Sequence, residues 1–144
     1  MMALTVLGSA QVSPKLDRRE ERFRIPSSQS GLSLFLRYLP QSRAIEPGPT
    51  VVYVHGGTFP SGLSIAHRFD GRSWSDALSD AGFQVWGLDF HGFGESDPYP
   101  QISEPAEARL PLGRAAECSR QLEAAVRSIC EHHAVPRVSL IPRS

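Results

Sequence analysis

The sequence lacks net charge and long hydrophobic runs. Lysine and arginine together number 15, as do aspartate and glutamate, so no basic surface of the kind that attracts a phosphate backbone is expected. The longest apolar runs, such as residues 50–54, are far shorter than the roughly 20 residues that a membrane helix needs. We therefore expect one domain with neither a nucleic-acid partner nor a membrane partner. The composition leaves the oligomeric state open.

Cysteine is also scarce, since Cys118 and Cys130 are the only two. Both lie in one predicted helix, where twelve residues correspond to about 18 Å along the axis. A disulfide joins Cα atoms that are at most about 7 Å apart, so the two thiols are predicted to stay unpaired with each other. The N-terminus lacks the basic start and the long apolar stretch of a secretory signal. These features together predict a reduced, cytoplasmic protein.

The N-terminal part of the chain divides into a charged lead-in and a hairpin. Residues 1–21 have no sustained hydrophobic period and are mostly charged from position 15 onward, which predicts a solvated lead-in with a tendency to disorder. Apolar residues then recur at every second position on either side of a turn at 27–31. This pattern predicts two antiparallel strands over 23–39. The folded domain is expected to span 22–144.

From position 50 onward, strands alternate with helices. Continuous β-branched and aromatic runs at 50–54, 83–90 and 137–141 are typical of strands that are buried on both faces of a parallel sheet. A short helix is predicted to begin at Ser73 or Ser75 and to end at Gly82. A longer helix is predicted over 113–133, because its apolar residues fall on one face at helical spacing. The alternation predicts an α/β fold without a second domain.

Two glycine-rich segments follow predicted strands, where α/β sheets place their ligand sites. The first is His55-Gly56-Gly57-Thr58, in which adjacent glycines leave backbone amides open to an oxyanion. An ordinary glycine-rich turn is the alternative interpretation.

The second segment runs from Asp89 through His91, Gly92, Gly94 and Ser96. A dinucleotide fingerprint is poorly matched, because Asp97 stands where its third glycine belongs. The segment is better explained as support for a site: its polar side chains bond to the backbone, and its glycines permit positive φ.

Together the two segments resemble the α/β-hydrolase superfamily, and the similarity runs from about Phe23 to the last residue. It implies the N-terminal part of that fold: a mostly parallel sheet that begins with an antiparallel hairpin and ends after the fifth strand. It also implies that Gly57 or Thr58 provides an oxyanion-hole amide, without any metal or cofactor. The site-supporting positions would be His55, Gly56, Asp89, His91, Gly92, Gly94 and Ser96.

The resemblance also implies a role for Ser144. In that family the fifth strand leads into a Gly-x-Ser-x-Gly turn, which places Pro142 on the first glycine and Ser144 on the nucleophile. A proline is atypical there because it fixes φ, and a plain polar residue at position 144 is the alternative. The catalytic acid and histidine follow the serine in this fold, and neither is present in these 144 residues. The chain as given is therefore expected to be catalytically incomplete.

The remaining histidines do not supply the missing base in this interpretation. His132 and His133 close the long helix, where a positive charge suits the dipole, and His67 lies in a loop. The leading expectation is a serine hydrolase, in its complete form, for an ester, amide or lactone of a small molecule. One alternative is an epoxide hydrolase or dehalogenase relative, although those use an aspartate at the position of Ser144. The other alternative is a non-catalytic truncated or interaction fragment.

Overall fold

A computed structural model describes residues 5–6, 15–43 and 46–144. The strands are β1 (Thr5–Val6), β2 (Glu21–Pro26), β3 (Ser33–Leu39), β4 (Thr50–Val54), β5 (Gln84–Asp89) and β6 (Ser139–Pro142). The α-helices are α1 (Trp74–Asp80) and α2 (Ala115–His133), and short 3-10 helices lie at Ser61–Leu63, Pro100–Ser103 and Ala106–Ala108.

The strands form one sheet in the order β1-β2-β3-β5-β4-β6. Antiparallel pairing joins β1 to β2, β2 to β3 and β3 to β5. Strand β4 is parallel to both of its neighbours, with Val52 opposite Trp86 of β5 and Leu140 of β6. The predicted hairpin and the predicted parallel strands, which alternate with helices from position 50 onward, are confirmed. The carboxyl ends of β4, β5 and β6 therefore meet at one edge of the sheet.

Each face of the sheet carries its own apolar core, because successive side chains of a strand point to opposite faces. The face under α2 buries a larger set: Phe23, Ile25, Leu34, Leu36, Tyr38, Val52, Trp86, Leu88, Phe90, Ala125 and Ile129. The face under α1 buries Leu39, Val51, Tyr53, Ile65, Ala66 and Val85. Each large apolar side chain so buried contributes about 1.5–3 kcal/mol. The two cores hold the central strands rigidly beneath the loops at their carboxyl ends.

Helix α1 begins and ends as predicted but buries an unexpected face. The Ser73 side chain accepts a hydrogen bond from the Asp76 amide, and the Asp76 carboxylate accepts one from the Ser73 amide. Gly82 follows the helix with φ of 95°, which suits the position after a helix end. The apolar face expected of an amphipathic helix is not formed at Trp74, which is 52% exposed. Small polar side chains, Ser75 and Ser79 among them, face inward instead.

Helix α2 matches its predicted span closely, and its two cysteines are free. Its buried positions are Gln121, Ala125, Ser128 and Ile129. Of the apolar residues predicted on one face, Ala125 and Ile129 are fully buried, and Cys118 and Leu122 are partly buried against the same core. The buried Gln121 was not predicted; its side chain is hydrogen-bonded to the His91 amide and the Tyr99 hydroxyl.

Strand β6 is less buried than its apolar composition predicts. It pairs with β4 and lies at the edge of the described sheet, and Leu140 is 45% exposed. Pro142 is accommodated as its last residue because the next amide, that of Arg143, donates to the Val54 carbonyl at 3.0 Å. The expectation of burial on both faces is therefore wrong for the described residues.

The predicted lead-in over 1–21 falls partly outside the described residues, and its described end is folded onto the domain. Glu20 is 3% exposed, and Asp17 accepts hydrogen bonds from Arg19 and Arg68. Burial acts to raise the pKa of Asp17, but these bonds outweigh it and lower that pKa to about 2. The expectation that the whole charged cluster is solvated is wrong for these residues.

The end of α2 makes the fold sensitive to pH. The buried Trp86 indole donates a hydrogen bond to His133 Nε2 at 2.8 Å, so His133 is a neutral acceptor and not the positive helix-end charge predicted from the sequence. Burial, and to a smaller extent the neighbouring His132, lowers the pKa of His133 below its usual 6.5. The unfolded chain then binds a proton that the folded chain excludes. The stability from this contact is full above pH 6.5 and is lost as pH falls below it.

We expect the replacement His133→Gln to reduce this pH dependence. The Gln carbonyl can still accept the Trp86 hydrogen bond, but it does not titrate. Urea unfolding at about pH 7.5 and about pH 5.5 should give a larger loss of stability for the wild type than for the variant. An identical loss in the two proteins would contradict the assignment to His133.

Candidate active site

The turn after β4 is fixed by the His55 imidazole, which is buried. The Phe90 amide donates to His55 Nε2 at 3.0 Å, and His55 Nδ1 lies 2.6 Å from the Gly56 carbonyl. Since Nε2 accepts a hydrogen bond, the proton is on Nδ1 and is donated to that carbonyl. His55 thus ties the turn after β4 to the end of β5. Both of its ring nitrogens are occupied, so it supports the site and does not act as a base.

The amides of Gly57 and Thr58 point to no acceptor among the described residues. Both residues are exposed, and neither amide donates a hydrogen bond within the described part of the chain. Backbone amides that are held in place and left without an internal acceptor are the donors that an oxyanion requires. The geometry therefore suits the role that the sequence suggested for these two positions.

Asp89 joins the loops after β4 and β5. Its carboxylate is fully buried and accepts hydrogen bonds from the Ser61 amide at 2.8 Å and the Ser61 hydroxyl at 2.6 Å. The other oxygen accepts from the Glu95 amide at 3.2 Å. A Cβ on Gly94 would lie 2.1 Å from Asp89 Oδ2, so the loop can pass the carboxylate only with glycine there. Asp89 is therefore a structural link between the two loops.

The rest of the loop after β5 is held in place by hydrogen bonds from the side chains of His91 and Ser96. His91 Nδ1 donates to the Asp97 carbonyl at 2.8 Å, and His91 Nε2 lies 2.6 Å from the Ser27 hydroxyl. The Ser96 hydroxyl donates to the Asp89 carbonyl at 2.5 Å and accepts from the Phe35 amide at 2.8 Å. Gly92 and Gly94 have φ of 83° and 51°. Positive φ at these two glycines was predicted and is confirmed.

Asp97 attaches this loop to the hairpin. Burial acts to raise its pKa, but the Arg24 guanidinium at 2.7 Å and the Ser33 amide at 2.7 Å bind the charged form and lower the pKa overall. Asp97, which stands where a dinucleotide fingerprint has its third glycine, thus connects the loop after β5 to the hairpin.

Ser144 lies beside the turn after β4. The Arg143 amide bonds to the Val54 carbonyl, which continues the parallel pairing past the end of β6. A Cβ placed on Gly56 would lie 3.3 Å from the Ser144 Cα and 3.0 Å from its carbonyl carbon. The structure therefore brings Ser144 next to the turn that carries the open amides of Gly57 and Thr58.

Sequence reasoning missed the polar residues beneath the site. Arg37 Nε donates to the Ser61 hydroxyl at 2.8 Å, and Arg37 Nη1 donates to both oxygens of Glu20 at 3.1 Å. Arg22 Nε donates to Glu20 at 2.7 Å. A buried chain of hydrogen bonds thus runs from Glu20 through Arg37 and Ser61 to Asp89. The one feature of the sequence that could have indicated this chain of hydrogen bonds is the charged Arg37 within a mostly apolar strand.

The two glycines of the turn should respond differently to alanine. A Cβ on Gly56 would lie 3.0 Å from backbone atoms of both Arg143 and Ser144, whereas a Cβ on Gly57 meets nothing within 4 Å. We expect Gly56→Ala to cost about 1–3 kcal/mol of unfolding free energy through overpacking. Gly57→Ala, the matched control, should stay within about 0.5 kcal/mol of the wild type. Urea unfolding of both variants checks this, and equal effects would contradict the close approach of the two loops.

The described residues contain no group of three or more His, Cys, Asp or Glu side chains that could hold a metal ion. No described helix is long and apolar enough to cross a membrane.

Known protein structures share this architecture. The chain superposes on aCif with a TM-score of 0.56 and 17% identity, over 89% of this chain and 31% of that one. A thioesterase domain from the curacin biosynthetic pathway gives a TM-score of 0.52 and 14% identity, over 99% and 35%. A 2-hydroxy-6-oxo-6-phenylhexa-2,4-dienoate hydrolase from Rhodococcus sp. strain RHA1 gives 0.51 and 17%, over 99% and 38%.

These likenesses concern the fold, since the sequence identities are low. The chain spans between 31% and 38% of the length of these three structures. No protein-family model and no curated protein sequence matches the chain.

Proposed function

Because the described residues form the N-terminal part of the α/β-hydrolase fold, we propose that the chain provides the nucleophile and the oxyanion-binding turn of a serine hydrolase. Its substrate would be an ester, amide or lactone of a small molecule. The observation that carries this proposal is the position of Ser144 beside a turn whose two exposed amides, those of Gly57 and Thr58, have no acceptor among the described residues.

Each of these groups has a role in acyl transfer. The Ser144 hydroxyl attacks the substrate carbonyl and gives up its proton to a base, while the amides of Gly57 and Thr58 stabilise the negative oxygen that develops. His55 and Asp89 keep those amides in place and do not touch the substrate. The base would be a histidine held by a carboxylate, and in this fold both follow the serine. We propose that they lie beyond Ser144 in the complete protein.

Two of the similar structures support hydrolysis as the broad class of reaction, since one is a thioesterase domain and the other is a hydrolase. The two free cysteines suit a reducing compartment, and on that basis we propose a cytoplasmic location.

The coding sequence beyond Ser144 provides the test. The longer product should hydrolyse a chromogenic short-chain ester, and Ser144→Ala should lower its kcat by about 10⁴-fold or more. Ser139→Ala is the matched control, because Ser139 is an exposed serine at the start of β6, the strand that leads to Ser144, and it should retain activity. Activity that survives Ser144→Ala would contradict the proposal.

A non-catalytic role is the second candidate, and a specific observation favours it. Both nitrogens of His55 and of His91 are hydrogen-bonded, so neither of these buried histidines is a free base. If no reading frame beyond Ser144 encodes an acid and a histidine, the chain is a binding fragment. An epoxide hydrolase or dehalogenase relative is disfavoured because those enzymes place an aspartate at the position of Ser144.

A further inference from the structure

A short segment before β2, residues 15–19, lies on the domain without joining the sheet, and we call it the strap. Among the described residues, its only backbone hydrogen bond runs from the Glu20 amide to the Asp17 carbonyl, at 3.1 Å. Glu20 is 3% exposed, and its carboxylate accepts hydrogen bonds from Arg22 and Arg37. The strap is therefore fixed at its C-terminal end by Glu20 and is held to the domain by side chains.

Charged side chains make the contacts between the strap and the domain. Arg68 donates a hydrogen bond to the Asp17 carboxylate. Arg19 Nη1 donates to the Ser79 hydroxyl at 3.2 Å, and Arg19 Nη2 lies 3.5 Å from the Asp76 carboxylate. The Arg19 and Arg68 side chains are 40% and 35% exposed. Because ion pairs of this exposure are individually weak, the strap stays closed only while several of them act together.

Each charge of this cluster keeps a partner when the strap leaves the domain. Within the strap, Arg19 Nε lies 3.2 Å from Asp17 Oδ1. Within the domain, Arg68 Nη2 lies 3.0 Å from Asp76 Oδ1, and the Ser73 amide donates to Asp76 Oδ2 at 2.8 Å. The large penalty for leaving a charge unpaired, which opposes the breaking of a buried ion pair, therefore does not oppose this movement.

A cavity of about 20 Å³ lies beneath the strap, and this is room for about one water molecule. Leu16 and Asp17 line it from the side of the strap. The domain lines it in part with apolar side chains of β3, β5 and the loop after β4: Leu39, Ile65, Ala66, Val85 and Trp86. The closed strap thus leaves no space for a ligand, and its departure would open the cavity to solvent.

We propose that the strap opens and closes over this cavity about a hinge at Glu20, and that the ion pairs of Arg19 and Arg68 hold it closed. The open form keeps the sheet and both apolar cores, because residues 15–19 belong to neither. Local opening of this kind is expected where few backbone hydrogen bonds and few apolar contacts hold a segment. The inference is independent of the proposed hydrolase activity, since Ser144 takes no part in it.

Limited digestion of the full chain with trypsin tests the opening. The rate of cleavage after Arg18 and Arg19, in the strap, is divided by the rate after Arg114, which is exposed in the loop before α2. When opening is fast relative to cleavage, this ratio follows the population of the open form. Arg68→Gln removes a charge that holds the strap without changing residues 15–19, and it should raise the ratio about fivefold or more. Arg72→Gln is the matched control, because Arg72 is 62% exposed and pairs outside the strap, and it should leave the ratio unchanged.

Salt provides a second measurement on the same proteins. In about 1 M NaCl the screening length falls to about 3 Å, so the ratio should rise for the wild type and rise less for Arg68→Gln. Equal ratios for Arg68→Gln and Arg72→Gln, or a wild-type ratio that salt does not change, would overturn the role of the ion pairs. Strap cleavage that increases only together with cleavage throughout the domain would mean global unfolding and would overturn the local opening.

Discussion

Replacing Asp89 with asparagine should destabilise the protein by about 3 kcal/mol, because a buried charge acceptor becomes partly a donor. The carboxylate is 0% exposed and accepts hydrogen bonds from two amides and one hydroxyl in two loops. An asparagine keeps the shape, but its NH₂ group must face one set of those donors. At least one donor is then buried without a partner, and the two loops lose their common anchor.

Urea unfolding measures this effect directly. Asp80→Asn is the matched control, since the Asp80 side chain is 49% exposed and pairs with an exposed Arg72, and such pairs contribute about 0–1 kcal/mol. Asp89→Asn should also broaden or shift the amide resonances of residues 57–59 and 61. If Asp89→Asn is as stable as Asp80→Asn and the amide resonances of the turn do not change, Asp89 does not link the two loops.

The second large effect is expected for Glu20→Gln, at about 3 kcal/mol or more, because two buried guanidinium groups lose the charged carboxylate that both of them contact. Arg22 and Arg37 are 7% and 9% exposed, so water cannot replace the missing charge. The loss should also loosen Ser61, which Arg37 holds.

Glu21→Gln provides a control of the same chemistry one residue further along the chain. Glu21 is exposed, and a surface change of this kind should stay within about 0.5 kcal/mol. Thermal unfolding of both variants compares the loss of a buried carboxylate charge, at Glu20, with the loss of an exposed one, at Glu21. Comparable melting temperatures for the two would mean that the described end of the lead-in is not docked in solution.

The parallel strands and the helix boundaries follow from local sequence. The runs that became β4 and β5 are apolar at successive positions, which only a strand covered on both faces tolerates. Ser73 and Gly82 mark the ends of α1 through their own side-chain and backbone chemistry. These signals depend on neighbours within a few residues, so they can be identified before any tertiary contact is known.

The buried polar network could not be found in this way. Arg37 bonds to Ser61, 24 residues away, and Phe90 bonds to His55, 35 residues away, so each partner is defined only by the folded topology. The same limit explains why the burial of Gln121 in α2 was not predicted, since its partners are the amide of His91 and the hydroxyl of Tyr99. A charged or amide side chain alone gives no indication that a distant partner will bury it.

Reaction of Ser144 with a fluorophosphonate tests the central claim most directly. The protein expressed from the coding sequence that contains this chain and continues past Ser144 is treated with the reagent, digested and analysed by mass spectrometry. We expect a phosphonyl adduct on Ser144 that is absent in Ser144→Ala and retained in Ser139→Ala. A folded protein that remains unlabelled, or that is labelled at another residue, would contradict the assignment of Ser144 as the nucleophile.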